Sequence, residues 1–432
     1  MERLDNPIQK YAWGSLTEIP ALLGLAPDGT PHAELWLGAH PSAPSLLQNG
    51  TTLEALIAEA PERLLGPASF TKFGPRLPFL LKVLAARQPL SLQAHPSLDQ
   101  AQEGFAREEQ AGLSRAAPNR SYRDANHKPE ILCALSEFSA LCGFRRVADS
   151  VRLFRGLGLD TSQLERDGLR VYFQKVMTLP REEQAVLVDW LVEAAERPVR
   201  GFEEECRLAC ELGRLYPQDI GILGALLLNL ITLQPGEALY LDAGNLHAYL
   251  EGTGVELMAN SDNVLRGGLT PKHVDVAQLL TVLNFTDGPP RVLHPGGGPE
   301  AVYETPAPEF RLSRVEVRKE PIALPSLGAQ VLLVVEGEVT VEVGVLDPSF
   351  PRPIWSNLGE TLVHSIEEVR ASFEETHQRI RQTEEKALQK LGHPSRTVAL
   401  LHRGQSVFIG ADEGAVKLSG RGTLFRATPG TS

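Results

Sequence analysis

Residues 230–250 read LITLQPGEALYLDAGNLHAYL, and this stretch holds two tight turns separated by a short apolar segment. Pro235 and Gly236 make the first turn, and the sequence Asp-Ala-Gly-Asn at 242–245 makes the second. The four residues between the turns, 238–241, predict a compact apolar β-strand. His247 follows the second turn. The stretch therefore predicts β-structure in which a histidine stands just after a turn.

Outward from this stretch, the chain divides into four regions of different texture. Residues 1–145 are rich in proline and glycine, and their short apolar runs predict strands and loops. Residues 146–230 carry apolar residues at three- and four-residue spacing, which predicts a subdomain of amphipathic helices. Residues 231–290 again have the short apolar runs that predict strands. In residues 291–432, apolar and polar residues alternate, as in VLLVVEGEVTVEVG, which also predicts β-strands. We expect 1–145 and 231–290 to form one β domain with the helical subdomain inserted, and 291–432 to form a second.

A helical insertion is predicted within the last region, at about 345–397. Ser365 and Glu368 have the spacing of a capping box at a helix N-terminus, and Gly392 and Pro394 end the apolar pattern that follows. Two interpretations stay open: a solvated amphipathic helix that packs on its own domain, or a contact between two copies of the chain. The expected oligomeric state is accordingly a monomer or a weak homodimer.

Composition limits the class of protein. The 432 residues are 42% hydrophobic and 22% charged, which is typical of a globular chain. Acidic residues outnumber basic ones 54 to 42, and the resulting net charge of -12 disfavours partners such as nucleic acids and anionic membranes. Four cysteines without a C-x2-C pair do not indicate a disulfide framework. With no secretory signal at 1–14 and no apolar run of about 20 residues, we expect a cytoplasmic protein.

Gln93 and His95 are the first residues that suggest chemistry. In a strand, residues two apart point to the same face, so an amide oxygen and an imidazole share one side of the sheet. This pair is half of a possible metal site. The alternative is a half-buried histidine that is satisfied by hydrogen bonds.

Glu130 begins an apolar run and follows Lys128-Pro129. If the lysine and the carboxylate lie on the surface, they form an ion pair worth about 0–1 kcal/mol and need no further explanation. If Glu130 is buried at the start of a strand, it needs a metal ion or an ammonium group as its partner.

The spacing Gly236-x5-Asp242-x-Gly244-x2-His247 resembles the second conserved segment of the cupin β-barrel. A cupin usually has a proline where this chain has Asp242, and its histidine is a metal ligand that faces the barrel interior. The resemblance implies a fold that is mainly β with α, with cupin-type barrel or jelly-roll domains and an inserted helical subdomain.

The same resemblance brings four residues into one ligand set. Gln93, His95 and Glu130 resemble the first cupin segment, stretched apart in sequence, and His247 completes the set. Two nitrogen and two oxygen ligands suit Zn²⁺. The two imidazoles disfavour calcium and magnesium, which prefer oxygen ligands. We expect one zinc ion per chain.

Five strings narrow the resemblance to the type I mannose-6-phosphate isomerase family. They are NPIQKYAWGS (6–15), AELWLGAHPSAPS (33–45), LSLQAHPS (90–97), DANHKPEI (124–131) and AGNLHAYLEGTGVELMANSDNVLRGGLTPKHVDV (243–276). The resemblance runs in order along the chain, weakens through the helical stretch and is faint after about 276. It implies an isomerase that interconverts mannose 6-phosphate and fructose 6-phosphate through an enediolate.

The family's site residues transfer to this chain motif by motif. The resemblance implies that Gln93, His95, Glu130 and His247 bind zinc and that Arg266 is the catalytic arginine. It also gives roles to three further residues, which are Lys128, Glu256 and Asp262.

Arg266 keeps its charge at any ordinary pH, so we expect it to stabilise the enediolate or to bind phosphate rather than to act as a base. An ion pair with Asp262 is the alternative for this arginine. The proton carrier stays open among Glu256, Lys128 and Asp262, and His127 or a zinc-bound water is a possible group for opening the sugar ring.

Other side chains near the motifs have two possible roles each. Trp13 and Trp36 either line the mouth of the site or pack in the core, with packing favoured. Glu34 either orients a metal-binding histidine or is an exposed charge.

Two departures from the family pattern are visible in the sequence. The insertion at about 345–397 is one, and the segment Gly404-x5-Gly410-x-Asp412-x2-Gly414 is the other, because it has glycine at the histidine position of the cupin pattern. We expect the second β domain to bind no metal and to be structural. Two other functions stay open: an isomerase of another sugar phosphate, and a non-catalytic sugar-binding cupin.

Overall fold

The computed structural model describes residues 1–344 and 396–430. Within these ranges the chain forms two sheets of antiparallel strands and a group of helices. The strands are β1 (Glu2–Asp5), β2 (Ile8–Gln9), β3 (Glu34–Leu37), β4 (Leu46–Leu47), β5 (Phe79–Ala86), β6 (Leu92–Ala94), β7 (Glu130–Ala134), β8 (Phe138–Phe144), β9 (Leu228–Leu233), β10 (Ala238–Leu241), β11 (His247–Ala259), β12 (Leu265–Gly268), β13 (Val292–Leu293), β14 (Glu300–Tyr303), β15 (Arg311–Val317), β16 (Ile322–Leu324), β17 (Gln330–Gly344), β18 (Arg396–His402), β19 (Ser406–Ile409) and β20 (Val416–Thr428). The helices are α1 (Glu18–Leu23), α2 (Leu53–Glu59), α3 (Pro61–Leu65), α4 (Pro67–Phe73), α5 (Leu98–Gln110), α6 (Val147–Gly156), α7 (Ser162–Met177), α8 (Arg181–Ala195), α9 (Glu203–Leu215), α10 (Gly221–Leu226) and α11 (Val276–Val282).

The long strand β11 organises the first sheet. Its first half pairs with β6 and β8, and its second half, from Gly252 onward, pairs with β5 and β7. The register shifts between Tyr249 and Glu251, where the strand passes from one set of partners to the other. One strand therefore supplies residues to both walls of the first β region.

The helices α6 to α10 are inserted between two neighbouring strands. β8 ends and β9 begins side by side, with Phe144 opposite Leu228. The apolar faces of these helices pack together and against the outer face of the first sheet, including Leu92 of β6 and Leu246 before β11. The helical group thus covers one side of the wall that carries β6 and β11.

The second sheet is built on the long paired strands β17 and β20. β1 and β4 also lie in this sheet, because Glu2 pairs with Phe408 and Leu4 with Leu47. A shared apolar core fills the space between the two sheets, with Leu81 and Val83 of β5 on one side and Leu333 and Phe408 on the other. The two β regions are therefore joined by strand exchange and by a common core.

The predicted insertion falls almost wholly outside the described residues. β17 and β18 pair antiparallel, and their last paired residues are Gly344 and Arg396. The chain thus leaves the sheet at 344 and returns beside the same point at 396. The predicted helix with its Ser365–Glu368 capping box lies outside the part of the chain that the structure describes.

The expected fold class, mainly β with α and with a helical segment inserted, is confirmed. Among residues 1–344 and 396–430, no helix is both long enough and apolar enough to cross a bilayer. The division of the chain into domains remains a proposal.

Candidate metal centre and active site

The strand register places three of the expected site residues on one face. Gln93 of β6 lies opposite His247 of β11 on one side and opposite Arg266 of β12 on the other. Directly opposed residues of antiparallel strands project to the same face. Leu92 and Ala94, which alternate with Gln93, pack on the helices instead, so this face points to the interior of the first β region.

Glu130 enters the same interior from the opposite wall. It is the first residue of β7, where it lies opposite Met258 of β11 and Leu241 of β10. His95 follows β6 directly and is two residues beyond Gln93. His95, Glu130 and His247 are each 1% exposed.

The three buried side chains converge at one point. Nε2 of His95 lies 3.4 Å and Nε2 of His247 lies 3.6 Å from Oε2 of Glu130. One ligand atom from each residue lies within 4.8 Å of the other two. The two imidazole centroids are 5.2 Å apart.

Backbone carbonyls set the orientation of both histidines. Nδ1 of His95 lies 2.7 Å from the Asn263 carbonyl oxygen, and Nδ1 of His247 lies 3.0 Å from that of Asn245. Each Nδ1 must donate, so each Nε2 of a neutral ring presents a lone pair to the centre. Burial lowers the pKa of His95 to about 4, which keeps that ring neutral.

The converging atoms are buried acceptors without donors. Nε2 of both histidines and Oε2 of Glu130 have no hydrogen-bond partner among the described residues. Unpaired buried acceptors are costly, and a cation would satisfy all three at once. Two imidazoles and a carboxylate are a typical donor set for zinc, so these residues fit that ion.

Lys128 neutralises Glu130 from the other side. Its Nζ lies 2.8 Å from Oε1 of Glu130, and both residues are buried. Burial by itself would raise the pKa of Glu130, but Lys128 and the two histidines together outweigh it and hold that pKa well below its usual value. The surface ion pair considered from the sequence is therefore wrong, because the pair is buried beside the histidines.

A second cluster of buried charges lies on β3, β5 and β11, in the same sheet as Glu130 of β7. Lys82 of β5 is opposite Glu256 of β11 and opposite Trp36 of β3. Its Nζ lies 3.1 Å from Oε2 of Glu256, 3.8 Å from Oε2 of Glu34, and 5.1 Å from the Trp36 ring centroid. Tyr249 donates to Oε1 of Glu256 over 3.1 Å.

The Lys82 ammonium group attracts both carboxylates of this cluster. Burial opposes the charge on Lys82, but Glu256 and Glu34 outweigh it and raise the pKa of the ammonium group. Burial raises the pKa of Glu256 against the pull of Lys82. Lys82 therefore remains charged and holds both carboxylates in place.

Sequence reasoning missed Lys82, although a signal was present. The lysine lies in the middle of FLLKVLAA, a strand in which every residue is buried. A lysine is almost never fully buried without a charged partner, so its place in an apolar run indicates a buried anion. Glu34 has neither of its two expected roles, since it is buried and accepts a 2.7 Å hydrogen bond from Nε1 of Trp36.

Arg266 belongs to a group of cations without anionic partners. Burial lowers the pKa of this half-buried guanidinium, and the nearby charge of Arg123 lowers it further. Burial lowers the pKa of Lys272, and the charges of Arg266 and Arg123 lower it further. Among the described residues, no side-chain ion pair or hydrogen bond is formed by Arg123, Arg266 or Lys272. Such a group in a chain of net charge -12 is suited to an anionic ligand.

The structure separates Asp262 from Arg266. Asp262 is exposed, and its Oδ1 lies 3.6 Å from Nε2 of His40, while its backbone N–H donates to Asp124. The ion pair between Arg266 and Asp262 that the spacing allowed is absent from the described contacts. Trp36 packs with Leu80 and Met258, as favoured from the sequence.

The chain is similar to known proteins both in sequence and in structure. Residues 1–147 match the family model of the type I phosphomannose isomerase catalytic domain. The mannose-6-phosphate isomerase of Salmonella typhimurium is 34% identical over 443 residues, which covers 99% of this chain and 99% of that protein. The Escherichia coli K12 enzyme of the same name is 37% identical over 359 residues, covering 80% of this chain and 91% of its own.

Solved structures give the same picture. A single-substitution variant of phosphomannose isomerase from Salmonella typhimurium has a TM-score of 0.81 at 32% identity, with 100% of both chains covered. A zinc-bound mannose 6-phosphate isomerase has a TM-score of 0.81 at 32% identity, covering 100% of this chain and 99% of that one. The likeness therefore extends over the whole chain.

Proposed function

This chain belongs to the type I mannose-6-phosphate isomerase family, and from that premise we propose how its own residues serve the reaction. It is a zinc-dependent aldose–ketose isomerase that interconverts mannose 6-phosphate and fructose 6-phosphate. The observation that carries the proposal is the convergence of three buried acceptors, on His95, Glu130 and His247, to which no residue in the described part of the chain donates.

Gln93, His95, Glu130 and His247 are the proposed zinc ligands. Gln93 faces the same interior as His247 by strand register, and the other three bring their ligand atoms together. Zinc bound there supplies Lewis acidity to the carbonyl and hydroxyl oxygens of the sugar. Lys128 holds Glu130 by its other oxygen and so keeps the carboxylate oriented.

The group of three cations is suited to bind a phosphorylated substrate. Arg123, Arg266 and Lys272 form no ion pairs within the described part of the chain, so their charges are available to a phosphate or an enediolate. A guanidinium binds such anions through two parallel hydrogen bonds. Arg266 lies opposite Gln93, which supports a role for it in stabilising charge beside the ligand set.

The proton carrier is assigned by elimination among the three expected residues. Both oxygens of Glu256 are engaged, by Tyr249 and by Lys82, and Lys128 is bound to Glu130. Asp262 is the one of the three whose side chain is exposed. We assign it the proton transfer between C1 and C2.

Exchange at C2 tests the function. In deuterated water, zinc-loaded protein with mannose 6-phosphate should form fructose 6-phosphate and incorporate deuterium, and removal of zinc by a chelator should abolish both until zinc is restored. Binding of the sugar without exchange would favour the non-catalytic cupin. Faster turnover of another aldose phosphate in a substrate panel would favour the second isomerase.

Several coarser expectations accompany this function. We propose a cytoplasmic monomer or weak homodimer without nucleic-acid or membrane partners, supported by the net charge of -12. We also propose cupin-type domains divided as 1–145 with 231–290, 146–230 and 291–432. Sedimentation of the purified protein tests the oligomeric state.

A further inference from the structure

One segment of the second β region reaches the loop that leads into β7 and the proposed ligand Glu130. This segment is the connection between β14 and β15, and Glu309 lies in it. Oε1 of Glu309 is 2.7 Å from Nε2 of His127, which is three residues before Glu130. The two residues are 182 positions apart in the chain, so only the tertiary fold brings them together.

The contact determines which nitrogen of His127 is free. A carboxylate accepts hydrogen bonds, so Nε2 of the imidazole is the donor, and Nδ1 carries the lone pair of the neutral ring. No described residue forms a hydrogen bond with Nδ1. The His127 side chain is 23% exposed. Nδ1 is therefore the ring nitrogen without a partner among the described residues.

Among the described residues, His127 is the partner of the Glu309 carboxylate. Its second oxygen, Oε2, is buried and has no hydrogen-bond partner within residues 1–344 and 396–430. An unsatisfied buried polar atom costs about 1–3 kcal/mol and calls for an explanation at each place where it occurs. Since the imidazole is the partner of this carboxylate, the explanation lies in what Glu309 does to His127.

We propose that Glu309 is a positioning residue for His127, which holds the ring so that Nδ1 accepts a proton from the sugar. The inference rests on the proposed function, because it assigns the pair to opening of the sugar ring. In that step the anomeric hydroxyl gives its proton to Nδ1 and becomes the C1 carbonyl, while the C1–O5 bond breaks and O5 takes a proton from water. The hydroxide that remains then takes the proton from Nδ1, which restores both the water and the neutral imidazole. The Glu309 carboxylate balances the positive charge on the imidazole.

A double-mutant cycle tests whether Glu309 acts through His127. In the zinc-loaded enzyme, Glu309→Ala should lower kcat about tenfold with KM nearly unchanged, and His127→Ala should lower it about 100-fold. Glu309→Gln should keep more activity than Glu309→Ala, because the amide oxygen still accepts from Nε2. Adding Glu309→Ala to His127→Ala should have no further effect, because the positioned group is already gone.

Glu304 provides the matched control. It lies in the same connection, is exposed, and has no place in the site, so Glu304→Gln should leave kcat unchanged. If Glu309→Ala lowers kcat by the same factor with and without His127, Glu309 acts independently and the proposal is overturned. Loss of activity that follows loss of bound zinc or of folded protein overturns it as well.

Nitrogen-15 NMR of the imidazole reads the tautomer without turnover. In zinc-loaded wild-type protein, His127 should carry its hydrogen on Nε2, and Glu309→Ala should convert the signal to a mixture of tautomers. An unchanged signal contradicts the positioning role. Wild-type protein with the expected tautomer but no isomerisation of mannose 6-phosphate would instead contradict the proposed function, so the two failures are distinguishable.

Discussion

At the scale of single residues, the site depends on pairing buried charges with the correct partners. Glu130 is satisfied by Lys128 through one oxygen and leaves the other for the centre shared with His95 and His247. Lys82 binds one oxygen of Glu256, and the Tyr249 hydroxyl donates to the other. Each lysine therefore sets the position of a carboxylate. Within residues 1–344 and 396–430, the Arg266 guanidinium has no side-chain counter-ion.

Arg266→Ala should lower kcat about 100-fold or more, as expected when a group that stabilises developing charge is removed. Bound zinc should stay the same, because Arg266 is not a proposed ligand. Steady-state kinetics and metal analysis measure the two effects. Arg318, with a side chain 82% exposed, is the control whose alanine variant should behave as wild type. Normal turnover of Arg266→Ala would refute the role of this arginine.

Lys82→Met should destabilise the protein by about 3–5 kcal/mol, since it leaves two buried carboxylates without their cation. Chemical denaturation measures the change in unfolding free energy. Lys10→Met is the control, because Lys10 and Asp28 form an exposed pair at 3.2 Å that contributes about 0–1 kcal/mol. Adding Glu256→Gln to Lys82→Met should recover part of the loss. Equal effects of the two lysine variants would show that the buried cluster contributes nothing.

At the scale of elements, the irregularity in β11 decides which residues face the site. His247 and Tyr249 face the interior before the register shift, and Glu256 faces it afterwards, although 247 and 256 would lie on opposite faces of a regular strand. Leu246 and Ala248 pack outward on the helices, and Val255 and Leu257 pack on the core between the sheets. The shift thus lets a single strand contribute to both walls of one interior.

Gly252→Ala should destabilise the protein by about 2–4 kcal/mol through backbone strain and a steric clash together. Gly252 has φ of +125°, and an added Cβ would lie 2.6 Å from the carbonyl oxygen of Glu137. Gly288→Ala is the matched control, because its φ of +146° brings the strain while nothing lies within 4 Å of the added carbon. We expect the first variant also to lose zinc affinity. Equal denaturation midpoints for both variants would refute the role of close packing at Gly252.

At the scale of the whole molecule, the two sheets stabilise each other. Their shared core contains Leu81 and Val83 from the first sheet and Leu333 and Phe408 from the second. β1 adds a further link, because it pairs with β19 in the second sheet while the chain continues directly into β2 of the first sheet. The second β region is therefore part of the support for the site rather than an independent attachment.

Zinc should raise the unfolding temperature of the entire molecule in a single transition. Free zinc at a hundred times its Kd adds about 2.7 kcal/mol to the folded state, and the shared core transmits this gain to both sheets. Calorimetry with zinc and with a chelator measures the shift. Two transitions of which only one moves with zinc would show that the sheets unfold separately.

The sequence by itself determined the family, the mixed β and α composition, and the local patterns that carry the proposed metal ligands, because short motifs keep their residues adjacent in the chain. It could not reveal the Lys82 cluster, the register shift within β11, or the contact between Glu309 and His127. Those features depend on strand register and on packing between segments that are far apart in sequence. Only the tertiary structure decided them, because register and burial are set by the molecule as a whole.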